Sequence, residues 1–207
     1  MGDIDVSGDA GRKRDKRWAP NRRSVPFSYR NVVKLADDRS LLLRFKTPAD
    51  RDAWRRFVAL VPDDSGHRPG TQLDPADLST DYHRFDGPYL VAEVAGEIVG
   101  ALFIVSPDPV LGHHQDHVVE FHMDVLPGWR RLGVGSALVR AMEDWARQRG
   151  DVRKLEAACL GWNEPVLAML RTMGFEEEGR ARRSWMVTDE AGEVAYDDVV
   201  QMGRWLD

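Results

Sequence analysis

The segment Val125-Leu126-Pro127-Gly128-Trp129-Arg130-Arg131-Leu132-Gly133-Val134-Gly135-Ser136-Ala137-Leu138 separates two strongly patterned runs, and its reading decides the fold. Downstream, Val134, Ala137, Leu138, Ala141, Met142, Trp145 and Ala146 recur on one face of a helix, and Gly150 is placed to stop it. Upstream, residues 117–125 alternate in the manner of a strand. A helix that starts straight after a strand leaves its first N–H groups without acceptors, and its dipole adds partial positive charge there. Gly133 and Gly135 keep the amides around Val134 and Ser136 uncovered, while Arg130 and Arg131 add full charges beside them. Together they read as a cradle for a pyrophosphate, which any side chain at the glycines would hold away from the amides. Taken alone, Gly-x-Gly suits a turn capping a packed helix equally well.

Two other phosphate-binding patterns fit poorly. A dinucleotide fingerprint needs a third glycine where Leu138 stands, and it follows the first strand of its fold. A P-loop needs Gly-Lys-Ser/Thr, which the chain lacks.

Working outward from the segment, Ser40–Lys46 reads as a first strand, and Trp54, Phe57, Val58 and Val61 place a helix over 48–61. Residues 62–88 are rich in Pro, Asp, Gly and Ser, with one short helix suggested near Asp74–Phe85. Tyr89–Val94 and Ile98–Val105 form a hairpin turned at Gly96. After the long helix come a strand over Arg153–Leu160 and a short helix capped by Asn163, with Pro165 in its first turn and Gly174 past its end. Two last strands, Phe175–Val187 and Ala195–Trp205, are divided by a turn at Glu190–Glu193. The order predicts an α/β fold: a single mixed, mostly antiparallel sheet flanked by helices, with a hairpin at each end.

Composition narrows the class. The chain has 207 residues, 43% hydrophobic and 30% charged, the balance of one globular domain with an appendage. The net charge of −5 argues against nucleic-acid binding over the whole surface. Residues 1–23 run the other way, with seven basic and four acidic groups, so residues 1–38 are expected to be a disordered basic extension and 39–207 the folded domain. Such a tail is expected to be solvated, with RNA, anionic lipid or the acidic body as its other contacts. No apolar run reaches the length of a membrane span, and the N-terminus has no secretory pattern. The single cysteine, Cys159, allows neither an intrachain disulfide nor a cysteine zinc cage, which points to the cytoplasm.

The stretch Val125-x-Pro127-x-Trp129-Arg130-Arg131-x-Gly133-x-Gly135 resembles the acetyl-coenzyme A signature of the GNAT superfamily of N-acetyltransferases, Arg/Gln-x-x-Gly-x-Gly/Ala. Asn163 followed by Gly174-Phe175 resembles the family's second coenzyme element, and Tyr196–Met202 its last strand. The resemblance spans about residues 39–206 and implies the acyl-CoA N-acyltransferase fold, with acetyl-CoA as co-substrate and no metal. It further implies that the backbone at Met123 and Val125 pairs with the pantetheine arm, that Gly133–Ser136 hold the pyrophosphate, and that Asn163 contacts the coenzyme further along. The acceptor would be a primary amine on a small molecule or peptide: a protein N-terminus or lysine, a polyamine, an amino acid or a drug. A homodimer is compatible with this reading. The rival readings are a non-catalytic coenzyme A sensor and an RNA-associated protein acetyltransferase that uses the basic tail.

Direct attack by an amine requires a base. Glu120, His122 and Asp124 share one face of the strand before the signature, and Glu120, acting through water, and His122 are the candidates. The family's base stands an even number of residues before Val125, where Val119 and Phe121 are found, so a bulge in this strand is expected to restore the face. The family also often places a tyrosine acid where this chain has Leu170. Tyr196, Cys159 or water could take over that role, but unaided departure of the thiolate is favoured, because a thiol of pKa about 8.5 is a fair leaving group. His113, His114, Asp116 and His117 hold enough ligands for a metal on paper, but solvation is the expected role of that loop. Cys159 reads as a small buried hydrophobe, and Trp129 and Trp162 flank the expected coenzyme site.

Overall fold

The computed structural model describes residues 29–61, 88–105, 117–188 and 194–206. The expected helix near Asp74–Phe85, the histidines at 113 and 114 and the turn at 190–193 lie outside these residues. Eight strands form one sheet in the order β1-β2-β3-β4-β5-β6-β8-β7: β1 Arg30–Lys34, β2 Ser40–Phe45, β3 Tyr89–Val94, β4 Glu97–Val105, β5 Val118–Val125, β6 Lys154–Leu160, β7 Glu176–Thr188 and β8 Val194–Trp205. Among the described residues only β5 and β6 run parallel, so the sheet is mixed and mostly antiparallel, with a hairpin at each end. Among the described residues three α-helices flank it: α1 Arg51–Leu60, α2 Val134–Arg149 and α3 Glu164–Thr172.

One strand escaped the sequence reading. Residues 30–34, assigned above to the extension, form the edge strand β1 and pair with β2 from Arg30↔Arg44 to Lys34↔Ser40. They carry no alternating apolar signal because the edge is held through its backbone. Val32 is 59% exposed and charged residues stand at both ends, the usual protection of a free edge.

The helices bury what their periodicity predicts. Leu138, Ala141, Met142, Trp145 and Ala146 of α2 pack with Leu41, Leu43, Leu90, Leu102, Phe121 and Leu155 on one face of the sheet, where α3 adds Leu167 and Leu170. On the opposite face α1 sets Trp54, Phe57 and Val58 against Tyr89, Val91, Ile98, Ala101 and Phe103. Its start is anchored by Asp50, whose carboxylate accepts from the Thr47 N–H at 2.6 Å and from the Arg44 guanidinium at 2.6 and 2.8 Å; Arg44 also reaches Glu93 at 2.7 Å. Gly150 ends α2 in the left-handed conformation, and Ala95 with Gly96 forms the two-residue left-handed turn that matches the twist of a hairpin.

Candidate active site

Strands β5 and β6 pair only at Val118↔Lys154, Val119↔Leu155 and Glu120↔Glu156. Beyond that point β5 stays on β4 as far as Val125↔Gly100, while β6 stays on β8 as far as Leu160↔Val199. The two strands part, and a cleft of about 700 Å³ opens between them, walled by β5, residues 157–160, the first residues of α2 and the face of α3. That volume lies in the usual range of small-molecule sites.

The edge of β5 facing this cleft presents backbone. Leu126 N–H donates to Val99 O at 3.0 Å, toward β4. By alternation the peptide groups of Val125 and Met123 turn the other way, into the gap. Arg130 already uses one of them, its Nε donating to Val125 O at 3.1 Å. Met123 and Val125 are thus available for an added strand-like partner.

At the head of the cleft lies the start of α2. The first N–H to close the helical ladder is that of Ala137, which donates to Gly133 O at 2.9 Å. Helix geometry leaves the N–H groups of Val134, Gly135 and Ser136 without intrahelical acceptors. Gly133 is required here for its φ of +92°, which reverses the chain into the helix. Gly135 is required for space, because a Cβ would lie 3.3 Å from both Met123 Cε and Met169 Sδ. Gly100 plays a third part: a Cβ there would meet Val134 Cγ1 at 3.0 Å, so its absence lets the start of α2 sit directly on β4. The side chain of Val134 is buried and contributes only its amide, while Arg130, Arg131 and Ser136 line the cleft. Ala36 N–H donates to Leu132 O at 3.3 Å, and the Arg39 guanidinium lies 3.8 Å over Trp129, so the β1–β2 turn braces this loop. Trp129 serves that packing, whereas Trp162, 52% exposed, lines the cleft. Asn163 begins α3 through its carbonyl, which accepts from Val166 and Leu167; its side chain makes no capping bond and borders the cleft.

The candidate base residues stand on the other face. Val119 and Phe121 enter the core beneath α2, so Glu120, His122 and Asp124 point to the α1 side. The expected bulge is not in β5, which keeps one register with β4 from Glu120 to Val125. The shift falls instead between β3 and β4 at Ala92/Glu93, where Val99 is left without a register partner on β3. Glu120 and His122 come together, Oε1 to Nε2 at 3.6 Å, with His122 at the cleft wall. Burial, and then the charge of Glu156, push the Glu120 carboxyl above the ordinary carboxylate range.

Leu170 is fully buried. Burial pushes the Cys159 thiol up to about 11, so it stays protonated and is a poor donor to a thiolate of ordinary pKa near 8.5. Tyr196 is exposed on the β7–β8 hairpin, with the Arg183 guanidinium 5.3 Å over its ring. Among the described residues no group of three His, Cys, Asp or Glu side chains is placed to hold a metal ion, and His117 stacks on Trp205. No helix among them is long and apolar enough to cross a membrane.

Known proteins resemble this chain in sequence and in fold. The acetyltransferase (GNAT) family profile matches residues 52–175. The L-amino acid N-acetyltransferase AaaT of Escherichia coli K12 is 33% identical over 120 residues, 56% of this chain and 66% of that protein. N-acetyltransferase 8F1 of Rattus norvegicus is 29% identical over 143 residues, 68% of this chain and 57% of that protein. The chain therefore spans between about half and two thirds of the curated relatives it matches. A GNAT superfamily phosphinothricin acetyltransferase of Sinorhizobium meliloti, solved in complex with acetyl-CoA, shares the fold at a TM-score of 0.64 with 21% identity, covering 79% of this chain and 87% of that one. With the profile covering more than half of its residues, the chain belongs to the acetyltransferase (GNAT) family.

Proposed function

We propose that the chain is an acetyl-CoA-dependent N-acetyltransferase acting on a primary amine in the cytoplasm. The observation that carries the reading is the parting of β5 from β6 beside the uncovered start of α2. Three properties of the cleft fit the coenzyme. The amides of Val134, Gly135 and Ser136, with Arg130 and Arg131 alongside, suit a pyrophosphate. The backbone of Met123 and Val125 suits the amides of a pantetheine arm. The gap between the strands lets a thioester reach the face of Glu120 and His122. Bound acetyl-CoA supplies an activated acyl carbon that an amine nitrogen attacks directly, the C–S bond breaking as the C–N bond forms.

The chain's own residues then have separable tasks. His122, at the cleft wall, accepts the proton that the attacking amine must lose, and Glu120 behind it favours the charged imidazole. Apolar Leu170 and protonated Cys159 line the coenzyme side, where the thiolate leaves without a tyrosine donor. The Escherichia coli relative is an L-amino acid N-acetyltransferase, which makes L-amino acids the first acceptors to try, ahead of peptides and polyamines.

Coenzyme A release and acetylated product, measured with acetyl-CoA and these amines, test the reading. We expect turnover with at least one class. His122→Ala should lower kcat by roughly 10² to 10⁴ with little change in acetyl-CoA affinity. Tight acetyl-CoA binding with no turnover on any amine would favour the sensor reading instead. Full activity in both Glu120→Gln and His122→Ala would make these residues structural.

A further inference from the structure

Glu120 does not stand only beside His122. In the last rung before the strands part it faces Glu156, its direct register partner on β6, and in a parallel pair both side chains emerge on the same face. Two carboxylates directly opposite each other are a destabilising choice for a sheet unless one of them is held. Glu156 is held: Lys154 Nζ donates to its Oε1 at 2.7 Å and to Glu178 Oε2 at 2.7 Å. Glu178 occupies the register shift of β7 and lies over Gly203, where any Cβ would collide with its carboxylate. A row of ionisable side chains, His122, Glu120, Glu156, Lys154 and Glu178, therefore runs from β5 across β6 and over Gly203 of β8 to β7, on the face that holds the candidate base.

Other described groups lie along the same strands and on the helix packed over this face. Among the described residues, Asp124 follows on β5 and His117 is stacked on Trp205 at the start of the strand, while α1 packs on β3 and β4 through Trp54, Phe57 and Val58 and turns Arg56 to Glu97. Lys154 anchors the Glu156 carboxylate in place, and its negative charge bears on both members of the Glu120–His122 pair in the same sense.

We infer that Glu156 is a positioning residue of the acyl-transfer site, its anchored carboxylate setting how readily the Glu120–His122 pair takes up and holds the acceptor's proton. The inference rests on the proposed acetyl transfer for its functional meaning, but the charge coupling itself does not. A neighbouring negative charge favours the protonated form of a carboxyl and of an imidazole alike. Removing it must lower both titrations, whichever group is the base.

The test is a pair of measurements on the full chain with Glu156→Gln and Glu156→Asp. The first follows the Glu120 side-chain carboxyl by ¹³C NMR, assigned with Glu120→Gln, and needs no turnover. Glu156→Gln should lower its titration midpoint by about half a pH unit or more, the size of one unit-charge repulsion across an inter-strand spacing in a water-like dielectric. The second is kcat/KM against pH, whose acid limb should move down by a similar amount in Glu156→Gln and return toward wild type in Glu156→Asp. An unmoved Glu120 titration in Glu156→Gln overturns the inference, and so does an unmoved acid limb in an active enzyme. A wild-type chain that acetylates no amine overturns the functional reading instead, and the carboxyl titration still decides whether Glu156 acts on Glu120.

Discussion

Replacing Gly135 with valine tests the coenzyme cradle where the geometry is tightest. The first added carbon would stand 3.3 Å from Met123 Cε and Met169 Sδ, and 3.5 Å from Met123 Sδ. These are flexible ends of side chains that line the cleft, so the fold accommodates the change by turning them aside. Valine is also no worse than glycine within a helix, so the far-UV spectrum should stay as it is. The cleft does not escape so lightly, because the branched side chain stands over the amides of Val134, Gly135 and Ser136. Blocking one charge-assisted hydrogen bond to a phosphate removes about 1.5–3 kcal/mol, or about a 10- to 150-fold rise in the Kd for acetyl-CoA. Gly135→Ala, with one carbon in place of three, should give a smaller rise. Calorimetric titration with acetyl-CoA measures both. An unchanged Kd in Gly135→Val, with an unchanged spectrum, would refute the cradle and leave the glycine a packing role only.

Three further outcomes are expected. Asp50, bonded to Arg44 and Thr47, is held down at about 2 from an ordinary 3.8, so its contribution is complete above about pH 4 and is lost as pH falls toward 2. Asp50→Asn should cost about 2 kcal/mol at pH 7 and lower Tm by about 4–8 °C, a difference that narrows below pH 4 in thermal melts. Gly100→Ala should destabilise by about 1–3 kcal/mol in urea titration and weaken acetyl-CoA binding too, because the added carbon pushes Val134 and the start of α2 off β4. Cys159→Ala should retain most of the wild-type kcat in steady-state turnover, since a thiol that stays protonated is neither nucleophile nor useful acid here.

What could be read from the sequence follows how local each signal is. The stripe from Val134 to Ala146, the stop at Gly150 and the turn at Ala95-Gly96 are set by neighbours within a few residues, and the structure has each where its pattern puts it. The left-handed φ at Gly133 is a local demand of the same kind, whereas the space at Gly135 is set by Met123 and Met169, which the fold brings in from elsewhere in the chain. β1 was not legible, because an edge strand held by its backbone needs no buried alternation. The register shift was expected in β5 and lies at Val99, since which strand of a sheet yields depends on pairings from residues far apart in sequence. Least legible was the opposition of Glu120 and Glu156, because a parallel pair joined through a whole helix carries no register signal in its own residues.

The central claim is that the opening between β5 and β6 is built for acetyl-CoA, and a thermal shift comparison of nucleotide ligands tests it most directly. At about 100 times its Kd, acetyl-CoA should add roughly 2.7 kcal/mol and raise Tm by about 5–10 °C for a chain of this size, with NAD and ATP at the same concentration doing far less. An equal or larger rise with NAD or ATP would contradict the account.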